Sequence, residues 1–131
     1  MKTTIGLISA CILLQLSPHA HADNTTPAKQ IETLISLSGK QPNKRSGQKL
    51  FISSHGRDWS CSSCHTADPT ALGKHVKTEK VIEPIAPVAN SKRFTDAAKT
   101  EKWFRSDCGN VLGRECTPEE QADVLAWLSS L

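Results

Sequence analysis

The sequence predicts a small all-α domain. Its 131 residues suit one domain, and no internal repeat or low-complexity tract divides them. Two Thr-Pro pairs, Thr26-Pro27 and Thr117-Pro118, are each followed by apolar residues at helical spacing, which is typical of helix starts. No run of alternating apolar and polar residues, the usual sign of a strand, precedes Cys61. Apolar residues are few for this chain length, so we expect a thin core.

The N-terminal residues have the pattern of a secretory signal. Lys2 gives a positive start, Ile5 to Leu16 form a short apolar stretch, and Ala20-His21-Ala22 matches a small-x-small cleavage site. We therefore expect a signal peptide over residues 1–22 and a mature domain over residues 23–131. No later segment is apolar enough to span a membrane, so the mature protein is expected to be soluble and exported to a bacterial periplasm.

Two helices are predicted in the first half of the mature chain. Thr25-Thr26-Pro27 opens the first helix, and Gly39 can end it after a series of apolar residues at helical spacing. A polar stretch follows, in which Pro42 indicates a break. The second helix is predicted from Gly47 to Ile52 and leads toward a pair of cysteines.

The second half is predicted to hold an ordered loop and two more helices. Asp68 to Asn90 is rich in proline and has little periodicity, which favours a loop that wraps a bound apolar group. Thr95 is predicted to cap a helix over Ala97 to Arg105, followed by a loop from Cys108 to Cys116. Thr117-Pro118-Glu119-Glu120 is predicted to open the last helix with a capping box.

The cysteine pair belongs to a motif that binds a cofactor. Residues 61–65 read Cys61-Ser62-Ser63-Cys64-His65, the C-x-x-C-H signature of haem c attachment. The two thiols can add to the two vinyl groups of one haem, and His65 can bind the iron from one face. A redox dithiol would need a βαβ context, and a structural zinc site would need two more ligands at finger-like spacing. Neither pattern is present, so we expect one covalently bound haem c.

Two cysteines of the mature chain, Cys108 and Cys116, are left over after haem attachment. An oxidising compartment favours a disulfide between them, which would close a short loop. The chain-entropy estimate for such a loop is about 2–3 kcal/mol of stabilisation. The alternative is a pair of free buried thiols.

The motif leaves the second axial ligand of the iron open. The only methionine is Met1, so a His/Met pair of axial ligands is excluded. Two other histidines remain in the mature chain, and His75 is a better candidate than His55, which lies close to the motif. Asn, Asp or water would be weak ligands. A weak or absent sixth ligand leaves ferrous iron able to bind O2, NO or CO.

Several segments give the chain a resemblance to the sphaeroides haem protein family, a group of small oxygen-binding cytochromes c. The resemblance runs from about Phe51 to Leu131, and most of the segments that carry it lie outside the haem motif, which all cytochromes c share. These segments are Cys61-Ser62-Ser63-Cys64-His65, Glu83-Pro84-Ile85-Ala86-Pro87, Lys92-Arg93-Phe94-Thr95, Lys102-Trp103-Phe104-Arg105, Gly113-Arg114-Glu115-Cys116-Thr117 and Asp123-Val124-Leu125-Ala126-Trp127-Leu128.

This resemblance implies a class I cytochrome c-like helical fold around one covalent haem, with a disulfide that matches Cys108–Cys116. It also implies an asparagine sixth ligand, just before the first disulfide cysteine, that leaves on reduction so that diatomic gases can bind. This sequence has Asp107 at that position. Asp107 is therefore the candidate sixth ligand, with Asn110, His75 or water as alternatives, while a simple turn role for Asp107 also stays open.

These features indicate a periplasmic monohaem cytochrome that transfers electrons and whose displaceable sixth ligand lets ferrous iron bind O2, NO or CO. The resemblance implies a dihaem cytochrome c as the redox partner. The net charge is +3 and the basic residues are dispersed, so nothing indicates a nucleic-acid partner. One alternative is a plain electron carrier with a fixed sixth ligand, His75 or Asp107. Another is a small haem enzyme acting on peroxide or nitrogen oxides, although no sequence feature assigns a catalytic residue.

Overall fold

The computed structural model describes residues 25–131, so the expected signal segment 1–22 lies outside the described residues. Helices dominate the described chain, and one 2-stranded antiparallel sheet joins them. In chain order the elements are α1 (Pro27–Ser38), α2 (Lys44–Ile52), α3 (Cys61–His65), β1 (Gly73–Lys74), β2 (Val81–Ile82), α4 (Ala97–Leu112) and α5 (Pro118–Leu128).

The caps predicted for α1 and α5 are confirmed. The Thr26 hydroxyl accepts the Lys29 backbone N–H at 3.2 Å, and Gly39 ends α1 with a φ of 70° that glycine adopts without strain. The Thr117 hydroxyl accepts the Glu120 N–H at 3.2 Å, while the Glu120 carboxylate accepts the Thr117 N–H at 2.9 Å. Both helix starts are therefore fixed by local sequence.

The prediction for α2 was too short. The helix begins at Lys44, before the expected Gly47, because the Asn43 side chain caps it by accepting the N–H groups of Arg45 and Ser46 at 3.0 and 3.2 Å. Asn43 is itself held in place, since its backbone N–H donates to the Asp123 carboxylate on α5 at 2.6 Å.

The prediction for α4 was wrong in its cap residue and in its C-terminal end. Asp96, not Thr95, is the cap, and its carboxylate accepts the Lys99 N–H at 2.9 Å. The helix continues past Arg105 to Leu112 and ends at Gly113, which has a φ of 73°. Cys108 therefore lies inside a helix and not in a loop. The small and polar residues after Arg105 are weak helix formers, and packing of this turn against the rest of the domain outweighs that preference.

The segment from Asp68 to Asn90 is largely loop, as predicted, but it also contains the small sheet, which the all-α expectation missed. Gly73 pairs with Ile82 and Lys74 with Val81. A Cβ at Gly73 would lie 2.2 Å from the Cys64 carbonyl oxygen, so only glycine lets β1 approach α3 this closely. The sheet therefore packs directly on the cysteine motif.

The core lies where α5 packs on α1 and α2. Its most buried members are aromatic and aliphatic, and the rings of Phe51 and Trp127 meet edge to face at 5.1 Å. The cluster consists of Phe51, Phe94, Val124, Leu125, Trp127 and Leu128. No helix within residues 25–131 is long and apolar enough to cross a membrane.

A disulfide joins Cys108 of α4 to Cys116, just before α5, with their Cα atoms 5.6 Å apart. Both cysteines are buried. The crosslink closes the turn between α4 and α5 and so fixes the direction in which α4 leaves the core.

Candidate cofactor site

A cavity of about 750 Å³ separates α3 from α4. Such a volume suits a ligand of cofactor size. The cavity brings together every haem-binding and axial-ligand candidate from the sequence except His55. Those residues are Cys61, Cys64, His65, His75, Asp107 and Asn110.

Helix α3 presents the motif side chains to this cavity. Ser60 caps the helix in a reciprocal pair with Ser63, whose hydroxyl accepts the Ser60 N–H at 2.9 Å. Positions three and four apart lie on one face of a helix, so Cys61, Cys64 and His65 project to the same side. Both cysteines are free thiols.

The surroundings hold His65 in its neutral form. Burial, with a smaller effect of the Arg93 charge, lowers the pKa of His65 to about 4. Neutral imidazole is the form that binds metal. Its Nδ1 is the buried side-chain atom that lacks a hydrogen-bond partner among the described residues.

Burial also keeps the Cys61 thiol protonated. Burial first, and then the charge of Asp107, raise the pKa of Cys61 to about 12. The thiol is therefore not a ready thiolate nucleophile, unlike the activated cysteine of a redox dithiol site.

Helix α4 forms the opposite wall of the cavity. The residues that line it recur at helical spacing and so form one stripe. At about 100° per residue, Asp107 lies about 20° from the middle of this stripe and Asn110 about 80° from it. The stripe consists of Thr100, Trp103, Phe104, Asp107, Cys108, Asn110 and Val111.

Asp107 and Asn110 on this wall, and His55 outside the cavity, differ in how they are held. Burial raises the pKa of the Asp107 carboxyl, and the nearby His75 imidazole opposes that rise. Asp107 lines the cavity, and no side-chain hydrogen bond restrains it within the described chain. The backbone carbonyl of Asn110 accepts a hydrogen bond from Arg57 Nε at 3.1 Å. His55 is turned away, with Nε2 at 2.8 Å from the Leu50 carbonyl.

His75 is held by the turn between β1 and β2. Its Nδ1 accepts the backbone N–H groups of Lys77 and Thr78 at 3.3 and 3.1 Å. Its backbone N–H donates to the Lys80 carbonyl at 2.9 Å, and its carbonyl accepts from Glu79 at 2.9 Å. The side chain is thus fixed from one end while the ring lines the cavity.

Sequence reasoning missed a cationic group at the cavity wall. The Arg93 guanidinium stacks over the Trp103 ring at 5.1 Å, and the Lys99 ammonium lies 5.0 Å from the same ring. Arg93 also donates to the Pro84 carbonyl at 2.8 Å and the Glu83 carbonyl at 2.6 Å, which ties the proline-rich loop to α4. Arg93 lies in one of the segments that carry the family resemblance, but its type alone did not indicate this role.

The residues present fit a covalently attached haem. The cavity offers two free thiols and a neutral imidazole from one short helix, and its wall includes the apolar core residues Phe51 and Phe94. These are the donor set and the apolar surroundings that haem c requires.

Comparison with known proteins agrees with this chemistry. A family model described as a domain of unknown function (DUF1924) matches residues 37–128. The chain is 42% identical to the cytochrome c-type protein SHP of Cereibacter sphaeroides, over 88% of this chain and 92% of that protein. It is 34% identical to cytochrome c'' of Methylophilus methylotrophus, over 95% of this chain and 93% of that protein.

Solved structures of both relatives share the fold. Oxidized SHP, an oxygen-binding cytochrome c, superposes with a TM-score of 0.78 and covers 82% of this chain and 99% of that chain. Oxidized cytochrome c'' superposes with a TM-score of 0.68 and covers 79% of this chain and 93% of that chain. The predicted cytochrome c-like helical fold is therefore confirmed, apart from the small sheet.

Proposed function

The chain belongs to the DUF1924 family and is related to the haem c proteins SHP and cytochrome c''. We propose that it is a monohaem cytochrome whose reduced iron binds a diatomic gas after a weak sixth ligand leaves. We assign Cys61 and Cys64 to covalent attachment, His65 to the first axial position and Asp107 to the second. The relative SHP, described as an oxygen-binding cytochrome c, supports the gas-binding part.

The observation that carries this proposal is the position of Asp107 on α4. It lies near the middle of the stripe that faces the cavity, whereas Asn110 lies at the edge of that stripe. The Asn110 backbone carbonyl also accepts from Arg57 Nε, which resists a backbone shift that would carry Asn110 toward the middle of the stripe. Among the candidates on α4, Asp107 therefore needs the least rearrangement.

The protein's own part in the reaction is to hold the haem and to release the sixth ligand when the iron is reduced. Bound haem supplies the redox change and the gas-binding site. Cys61 and Cys64 prevent dissociation, and the neutral His65 gives a lone pair without first losing a proton. A carboxylate such as Asp107 is stabilised by ferric more than by ferrous charge, so its hold weakens on reduction. The apolar wall, including Phe51 and Phe94, limits the entry of water.

We also propose that the mature protein, residues 23–131, acts in the periplasm and exchanges electrons with a dihaem cytochrome c. The signal pattern of residues 1–22 and the disulfide Cys108–Cys116 support an oxidising compartment. The partner rests on the family resemblance. Stopped-flow reduction of the ferric protein by a reduced dihaem cytochrome c, compared with a monohaem donor of equal potential, tests it. Equal rates with both donors would contradict the partner assignment.

The experiment that tests the function is visible spectroscopy of the purified holoprotein, ferric and then dithionite-reduced, before and after CO. We expect a high-spin ferrous spectrum that shifts at once with CO. A sharp low-spin ferrous spectrum that CO does not move would indicate a plain electron carrier with a fixed ligand. Asp107→Ala should change the ferric spectrum while Asn110→Ala, one helical turn away, should not.

A further inference from the structure

The turn that holds His75 determines where its proton lies. A ring nitrogen that accepts a hydrogen bond carries no proton, and His75 Nδ1 accepts from two backbone N–H groups, those of Lys77 and Thr78. In a neutral imidazole the proton is then on Nε2. His75 is therefore held as an Nε2–H donor, and its backbone pairing with Lys80 fixes the turn around it.

This tautomer is incompatible with binding iron through Nε2. A neutral histidine that gives its Nε2 lone pair to a metal carries its proton on Nδ1. His75 could take that form only by giving up both bonds to the turn. The same ring lines the cavity that Asp107 lines, and its charge opposes the rise in the pKa of the Asp107 carboxyl, so the ring lies on the Asp107 side of the site.

We propose that His75 is a positioning residue that donates an Nε2–H hydrogen bond to whatever occupies the Asp107 side of the haem cavity. The occupant is the Asp107 carboxylate in one redox state and a diatomic gas in the other. Bound O2 is polar and accepts a hydrogen bond well, whereas CO accepts it poorly. His75 therefore makes the site selective for O2 over CO. This inference rests on the gas-binding function proposed above.

The experiment measures the O2 and CO affinities of the reduced holoprotein for three chains, namely wild type, His75→Asn and His75→Gln. The Asn side chain can still accept the turn N–H groups, as in an Asx turn, but it is too short to donate into the cavity. His75→Asn should lower O2 affinity about tenfold, the size of one hydrogen bond, and change CO affinity less than twofold. His75→Gln retains a long donor and should recover part of the O2 affinity.

Two further readouts separate a donor from a residue that only shapes the turn. The C–O stretch of the CO complex should move to higher frequency in His75→Asn and less in His75→Gln, because the hydrogen bond to bound CO is lost. Nitrogen-15 NMR of His75 in the diamagnetic CO complex should show the proton on Nε2. A proton on Nδ1, or an unchanged O2/CO ratio in His75→Asn, would overturn the proposal.

Failure of the gas-binding function gives a different result. If the wild-type ferrous protein ignores CO, it is low-spin and itself diamagnetic, so the same NMR measurement applies to it directly. A proton on Nε2 would then leave His75 as a donor to the fixed ligand, without a role in gas selectivity. A proton on Nδ1 with an iron-shifted Nε2 would identify His75 as the fixed ligand, and both proposals would fall.

Discussion

The crossing of α2 and α5 allows a quantitative test of the packing. A Cβ added at Gly47 would lie 2.1 Å from the Asp123 carbonyl oxygen and 2.7 Å from the Val124 nitrogen. Both atoms are backbone, so no side-chain rotation relieves the clash. To reach ordinary contact distance the two helices must separate by about 1 Å, which also loosens the packing of Phe51 on Trp127.

We expect Gly47→Ala to lower the free energy of unfolding by about 2 kcal/mol. Overpacking in a well-packed core costs about 1–3 kcal/mol, and a rigid backbone clash belongs at or above the upper end of this range. The better helix propensity of alanine returns about 1 kcal/mol. For a domain of about 100 residues, this loss corresponds to a fall in Tm of about 8–16 °C.

Gly109→Ala is the matched control, because Gly109 also lies inside a helix and a Cβ there would meet nothing within 4 Å. This variant should gain about 0.5–1 kcal/mol from helix propensity alone. Thermal and urea unfolding of the ferric holoproteins, followed by circular dichroism at equal haem content, gives both values. Equal stability of the two variants would refute the close crossing of α2 and α5.

Three further predictions concern the C-terminal third of the chain. The double variant Cys108→Ser, Cys116→Ser should lose about 2–3 kcal/mol in urea unfolding, the chain-entropy value for a crosslink with a separation of 8 residues; a loss below 1 kcal/mol would contradict it. Thr117→Ala should lose about 1 kcal/mol and Thr117→Ser much less, by the same measurement, because serine keeps the cap. A hydrogen bond from Arg114 lowers the pKa of Glu120, so this contribution is present above the unfolded pKa of 4.5 and is lost as pH falls through the lower folded pKa. The free energy of unfolding of Arg114→Gln, measured from pH 7 down to pH 2, should therefore depend less on pH than that of wild type. Parallel curves of stability against pH for the two proteins would show that the Arg114–Glu120 hydrogen bond is not the cause.

Local sequence was enough to predict a helix start where the capping side chain stands out in the sequence. The hydroxyls of Thr26 and Thr117 cap the N-terminal ends of α1 and α5, so the predicted starts of these two helices are correct. Asn43 is an equally good cap, but nothing local distinguished it from the polar residues around it. Its role depends on the bond from its backbone to Asp123, which is distant in sequence. Contacts of this kind explain why α2 began earlier than predicted.

The length of α4 could not be read from propensity either. Ser106, Asp107 and Gly109 favour turns or helix ends, and the prediction stopped before them. The helix continues because its next turns line the cavity and bury Cys108 and Val111. Because the helix continues, Asp107 belongs to the ordered stripe and not to a loop. Its angular position on α4 can therefore be compared with that of Asn110.

The two sides of the cavity also differ in how far local sequence determines them. The attachment side is contiguous, since one pentapeptide supplies two thiols and an imidazole, and a five-residue helix is enough to orient Cys61, Cys64 and His65. The opposite side is assembled from a turn and a helix that are far apart in the chain, so from the sequence His75 and Asp107 could be named only as rival ligands. Hydrogen bonding supports the different roles that we propose for them, because His75 accepts at Nδ1 and so donates at Nε2, while no side-chain hydrogen bond holds Asp107 within the described chain. If both proposed roles hold, the pocket combines one displaceable acceptor with one fixed donor, a pairing suited to exchanging the occupant when the iron is reduced.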